Sequence, residues 1–209
     1  MENIFIAQDL VVPTNTTEAL KDPTWRKSMD EEYEALIEKK VWDVVLPPPD
    51  TNIVGSRWTH ICKCNEDRTA RAKSRVIAQG FTQTFGVDYD ETYAPVSQLA
   101  SLRTICAIAA RNDWPIHQMD IYNAYVNADL DEPIYMWQTQ GYIQVSDQHV
   151  LKLNKAMYGL KQSGRAWYKC LAGCIDASYP QYKSNILQVA FIFLQALVQN
   201  TKHNTTIFF

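Results

Sequence analysis

An α+β fold, an antiparallel sheet with packed helices, is what this 209-residue sequence predicts. Two strand-like runs, Ile53–Cys62 and Lys73–Gln79, flank the polar stretch Asn65–Arg71 and read as a hairpin. Apolar residues at helical spacing lie on both sides of that hairpin. With 46% hydrophobic residues, the chain has enough apolar surface to bury the core of one domain.

Residues 1–17 are polar and Thr/Asn-rich after a short apolar start, the composition of a flexible lead-in. Asp22 then caps a helix with Pro23 at its first position. Trp25, Met29, Tyr33, Leu36 and Ile37 recur at helical spacing through Lys40. Trp42–Leu46 is a short strand stopped by Pro47, Pro48 and Pro49. After the hairpin, Ser97 opens a helix through Ala110, with Leu102, Ile105, Cys106 and Ala109 on its inner face. Pro115–Ile121 alternates as a strand with Asp120 at its penultimate position. Pro133–Trp137 and His149–Leu153 are further strands, and Gly164–Ala177 is a helix. Past Tyr179 the pattern dissolves into an irregular apolar run and an Asn/Thr-rich end.

The net charge of −3 hides an uneven distribution. Residues 1–55 carry 5 basic against 11 acidic residues, and residues 84–140 carry 2 against 8. Residues 56–83 carry 6 basic against 2 acidic, and residues 152–169 carry 5 basic and none acidic. An acidic segment holding Asp120 thus lies between two basic ones, a pattern that suits a gripped polyanion. Cys62, Cys64, Cys106, Cys170 and Cys174 lack zinc-finger spacing and read as reduced intracellular thiols. No secretory signal opens the chain, and the run Ile186–Val198 falls short of the roughly 20 residues of a membrane span.

Residues 18 to about 170 resemble the reverse transcriptase domain of Ty1/copia-type retrotransposon Pol polyproteins. The matching stretches run in order. Trp25, Met29, Glu31 and Glu32 come first, then Val41-Trp42 and Lys73-Ser74-Arg75-Val76-Ile77-Ala78-Gln79-Gly80-Phe81-Thr82-Gln83. Asp88-Tyr89, Thr92-Tyr93-Ala94-Pro95-Val96 and the stretch Met119-Asp120-Ile121-Tyr122-Asn123-Ala124-Tyr125 follow. Ile134-Tyr135-Met136 and Tyr158-Gly159-Leu160-Lys161-Gln162, leading to Trp167-Tyr168, complete the series. Each stretch is weak alone; the ordered set is specific.

The resemblance implies the fingers and part of the palm of a right-hand polymerase, over residues 18–178. It also implies nucleotidyl transfer on an RNA template and DNA primer with deoxynucleoside triphosphates. That chemistry rests on positioning and charge neutralisation, and Mg²⁺ prefers hard oxygen ligands. Asp120 and the Ile121 carbonyl are the implied metal ligands, with Asp120 catalytic. By spacing alone, Asp120 fits a residue capping the following turn better than a metal ligand. Tyr125 is implied to lie beneath the sugar and exclude a 2′-hydroxyl. Lys73 and Arg75, on one face of a strand, are implied to meet the triphosphate. Tyr158 and Gly159 are implied to line the nucleotide pocket, and Lys161, Gln162 and Arg165 to hold the template.

Several positions depart from the family. Ser163-Gly164 replaces Ala-Pro, Glu66-Asp67-Arg68 replaces a tip with Asp-Gly, and Ala128 stands where glycine is common. No Tyr-x-Asp-Asp sequence occurs in these 209 residues. One carboxylate does not hold two metal ions, so the reading is a truncated polymerase, inactive alone. Residues 179–209 then represent a divergent tail of the kind left by a frameshift or early stop. Completion by a polymerase segment from another chain, a non-catalytic nucleic-acid-binding or interaction module, and a remnant without function are the alternatives.

Overall fold

The computed structural model describes residues 10–64, 69–95, 99–113 and 121–178. The expected strand Pro115–Ile121 falls outside these residues except for Ile121, so Asp120 is outside them. The hairpin tip Glu66-Asp67-Arg68, Ser97 and the tail 179–209 are outside them as well.

The chain forms α1 (Thr16–Lys21), α2 (Pro23–Glu38), β1 (Trp42–Val45), β2 (Ile53–Val54), β3 (Ser56–Cys64) and β4 (Ala70–Ala78). There follow α3 (Leu99–Arg111), β5 (Asp129–Trp137), β6 (Val150–Lys155) and α4 (Ser163–Ser178). Short 3-10 turns cover Gly80–Thr82 and Ala124–Asn127. The strands make a four-stranded sheet in the order β1-β6-β5-β2 and the separate ribbon β3-β4. The fold is therefore mixed α+β.

The main sheet is not wholly antiparallel, as the sequence led us to expect. β2 pairs with β5 in parallel over two residues, Ile53 on Tyr135 and Val54 on Met136. The expected strand Ile53–Cys62 is divided at Gly55. Its first two residues join the large sheet, and the rest forms the ribbon. At the division, the Gln79 amide donates to the Gly55 carbonyl at 2.8 Å. β5 begins four residues earlier than the apolar pattern suggested, with an irregular register between Asp129 and Ile134. Pro133, which has no N–H to give the ladder, lies in that irregular stretch.

Local chemistry sets the helices. Asn15 caps α1 through the Glu18 amide at 2.9 Å, so order begins within the polar lead-in. Asp22 caps α2 through the amides of Thr24 and Trp25 at 2.8 and 3.2 Å. The buried face of α2 runs Trp25, Ser28, Met29, Glu32, Tyr33 and Leu36. Ile37, which the periodicity placed on that face, is 40% exposed, one position too far around the helix. On α3, Leu102 and Cys106 are half-buried and Ala109 is buried, as their spacing implied.

The larger core joins α2 to both sheets through Trp25, Met29, Leu36, Trp58, Val76, Ile134, Met136 and Leu151. A smaller cluster of Ala124, Ala128, Ala156, Trp167 and Leu171 seats α4 beneath the Ala124–Asn127 turn, and Ile121 packs against it. Among the described residues no disulfide joins any of the five cysteines. Among the described residues no helix is long and apolar enough to cross a membrane.

Two polar residues on the buried face of α2 have a specific task. β4 pairs with β3 along one edge, and α2 covers the other. Ser28 Oγ accepts from the Ser74 amide at 2.8 Å and donates to the Ala72 carbonyl at 3.2 Å. One turn later, Glu32 Oε2 meets Lys73 Nζ at 3.3 Å. An exposed strand edge is a pairing hazard, and here a hydroxyl satisfies it. Ser28→Ala leaves a buried donor and acceptor unpaired, so we expect a loss of about 1–3 kcal/mol in unfolding free energy, read by denaturant titration. An unchanged midpoint would show that water takes the place of the hydroxyl.

Candidate functional site

Three pieces of chain build the candidate site: the outer face of β4, the turn Ile121–Asn127, and the loop Tyr158–Gln162. Alternation along β4 buries Ala72, Ser74, Val76 and Ala78 and turns Lys73, Arg75 and Ile77 to the other face, where they are half-buried.

The loop meets β4 through backbone. The Ala78 amide donates to the Tyr158 carbonyl at 2.8 Å. Gly159 has φ +96° and lies so close that a Cβ would strike the Ala78 carbonyl oxygen and approach Ile77 Cγ2. A Cβ on Gly80 would in turn strike the Gly159 carbonyl oxygen. Glycine is required at Gly159 for its dihedral and for its contact distance.

This joint brings the ring of Tyr158 beside β4. Arg75 Cζ lies 5.0 Å from the Tyr158 ring centroid, within cation–π range. The Tyr125 ring meets Tyr158 edge to face, 4.6 Å between centroids and 67° between planes. Burial raises the Tyr125 phenol above its ordinary pKa, with a smaller contribution from Tyr158, so its hydroxyl stays neutral. Three of the residues predicted from sequence, Arg75, Tyr125 and Tyr158, thus form one continuous wall.

Lys73 lies further along the same face. Its ammonium pairs with Glu32 and lies 5.6 Å from the ring centroid of Tyr122. Lys39, at the end of α2, approaches that ring at 5.9 Å and donates to Asn127 Oδ1 at 2.9 Å. The turn between these contacts pivots on Asn123, whose φ of 50° is one that asparagine tolerates. The sequence marks Glu32 and Tyr122 only as members of the family's motif stretches, with no site role, and does not mark Lys39; a glutamate on the apolar face of a helix was the further signal.

The template candidates are placed differently. Gln162 is buried, donating to the Asp88 carbonyl at 3.0 Å and accepting from Gln83 Nε2 at 3.1 Å. Gln83 also accepts the Lys161 amide at 2.8 Å. Asp88 closes the network by accepting from the Thr84 amide at 2.7 Å and from Asn52 at 2.6 Å. The Lys161 side chain is exposed above this network. Arg165 is ion-paired with Glu91 and donates to the Tyr93 carbonyl at 3.2 Å. It lines a cavity of about 260 Å³ with Asp90, Glu91, Asp131 and Glu132, an acidic setting. Trp167 is core.

Among the described residues no group of three or more His, Cys, Asp or Glu side chains is placed to hold a metal ion. The described part of the site is thus a basic and aromatic wall without a metal-binding carboxylate cluster.

A family model described as reverse transcriptase (RNA-dependent DNA polymerase) matches residues 39–190. The Retrovirus-related Pol polyprotein from transposon RE1 of Arabidopsis thaliana is 43% identical over 159 residues. That match covers 75% of this chain and 11% of the relative. The corresponding polyprotein from transposon TNT 1-94 of Nicotiana tabacum is 36% identical over 172 residues, 80% of this chain and 13% of the relative. The chain therefore spans a small part of these relatives' length. No solved structure matches it.

The Gly159 joint is open to direct test. Gly159→Ala adds a positive-φ penalty and a backbone collision, so destabilisation of about 2 kcal/mol or more is expected in a thermal or chemical melt. Gly86→Ala, at φ +77° with nothing within 4 Å of the added Cβ, controls for the dihedral alone. Equal losses at the two positions would remove the close backbone contact as the cause.

Proposed function

This chain belongs to the reverse transcriptase (RNA-dependent DNA polymerase) family, and we propose that it supplies the nucleotide-facing fingers and part of the palm of a copia-type polymerase. The observation that carries this reading is the convergence of Arg75, Tyr158 and Tyr125 from three separate stretches of chain. A deoxynucleoside triphosphate rests its sugar on the Tyr125 ring, where a flat surface leaves no room for a 2′-hydroxyl. Arg75 offers a planar guanidinium fork to phosphate oxygens. Tyr158 holds the two together, touching each.

The template strand passes the Tyr158–Gln162 loop. Lys161 gives it an exposed cation. Gln162 acts through the backbone that it and Gln83 hold. Arg165 contributes at the rim, its charge balanced by Glu91.

The family uses a divalent metal, which neutralises charge at the reacting phosphate. Asp120 and the Ile121 carbonyl are this chain's candidate ligands. No Tyr-x-Asp-Asp sequence is present, and the described residues offer no further carboxylate set. These 209 residues on their own bind substrate without completing transfer.

Two assays on the chain test this. An RNA–DNA hybrid should bind at low salt and lose affinity steeply as salt rises, because phosphate contacts release counterions. Primer extension with Mg²⁺ should give no incorporation. Absence of hybrid binding at low salt would remove the nucleic-acid reading. Incorporation that disappears in Asp120→Asn would overturn the claim of incompleteness.

A further inference from the structure

We infer that the turn Thr84–Tyr89 and the acidic cavity beside it form a docking surface for a polypeptide segment that carries apolar side chains together with lysine or arginine.

The turn is built inside out. Its polar groups face inward. Asp88 is buried and accepts from the Thr84 amide and from Asn52. Gln83, just before the turn, is buried against Gln162. The Gly86 amide donates to the Tyr89 carbonyl at 2.9 Å, and the amides of Val87 and Asp88 donate to the Thr84 carbonyl at 3.2 and 2.9 Å. The large apolar groups face outward. Phe85 and Val87 are 70% and 71% exposed, and Tyr93, four residues past the turn, is 75% exposed. The Phe85 ring meets that of Tyr89 edge to face, 5.8 Å between centroids.

A single exposed apolar side chain is ordinary on a protein surface. Here several are grouped on a turn that hydrogen bonds hold in one shape. Turning them inward would break the network around Asp88. A fixed, exposed apolar patch with a polar rim marks an interaction site.

Charge selects the occupant. Directly after the turn, Asp90 and Glu91 enter the wall of the cavity of about 260 Å³, which Asp131 and Glu132 line from β5. Arg165 pairs with Glu91, and Lys169 with Asp131. Asp90 and Glu132 make no ion pair among the described residues. Arg165 also donates to the Tyr93 carbonyl, which sets Tyr93 beside the cavity wall. An excess of carboxylates repels a phosphate backbone and attracts a cation. A lysine or arginine head in the cavity, with apolar neighbours laid over Phe85 and Val87, answers both features.

NMR titration of the full, isotope-labelled chain tests this with two peptides, acetyl-Leu-Lys-Phe-Lys-Leu-amide and its glutamate counterpart. The lysine peptide should shift the amides of residues 84–93 and bind at least about tenfold more tightly than the glutamate peptide. Phe85→Ser/Val87→Ser, at two exposed positions, should weaken the lysine peptide by roughly tenfold. Asp90→Asn/Glu132→Gln should weaken it by roughly three- to tenfold and flatten its salt dependence. An RNA–DNA hybrid should bind Phe85→Ser/Val87→Ser as it binds the unmodified chain. Weaker hybrid binding in that variant would assign the surface to nucleic acid and overturn the proposal. No binding of the lysine peptide, equal affinity for the two peptides, shifts confined to other residues, or full affinity in either double variant would overturn it as well.

Discussion

A contact between two backbones organises the candidate site. The Ala78 amide and carbonyl face Tyr158 and Gly159 across a gap that admits no side chain. Eighty residues separate these partners in sequence. Their meeting fixes where the end of the ribbon lies relative to the loop before α4. Side chains alone would hold such a joint loosely, because rotamers adjust. Backbone atoms in direct contact do not, which is why a glycine with φ +96° occupies the joint. Arg75, three residues before Ala78, is carried to the ring of Tyr158 by that geometry, and Tyr158 in turn meets Tyr125.

Around the joint, polar groups on the buried side are matched. Ser28 covers the open edge of β4 and Glu32 balances Lys73. The Asn52, Gln83, Asp88 and Gln162 network holds the far end of the loop. Arg75 Nε in the wall and Asn123 Nδ2 in the adjacent turn are both buried without a partner, and unsatisfied buried groups are uncommon in folded proteins.

Much of this was legible in the sequence. The α2 cap, the helical face from Trp25 to Leu36 and the β3–β4 hairpin follow from local chemistry that needs no partner. The shared face of Lys73 and Arg75 follows from alternation alone. What sequence did not show depends on distant neighbours. The two-residue parallel strand at Ile53–Val54 exists only because β5 lies beside it. The early start of β5 depends on Asp129 pairing with Lys155. Glu32 reads as a misplaced surface charge until Lys73 is seen opposite it, and Tyr122 reads as an ordinary turn residue until two lysines approach it. Asp120, the most telling residue in the sequence, lies outside the described residues, so its role rests on motif and family.

The central claim is that Tyr125, braced by Tyr158, forms the surface on which the sugar rests. Parallel titrations of the chain with dUTP and UTP, which differ only at the 2′ position, test it most directly. The account predicts tighter binding of dUTP by roughly ten- to hundredfold, the discrimination a close-fitting surface achieves against an added hydroxyl. Equal affinities for the two would contradict it.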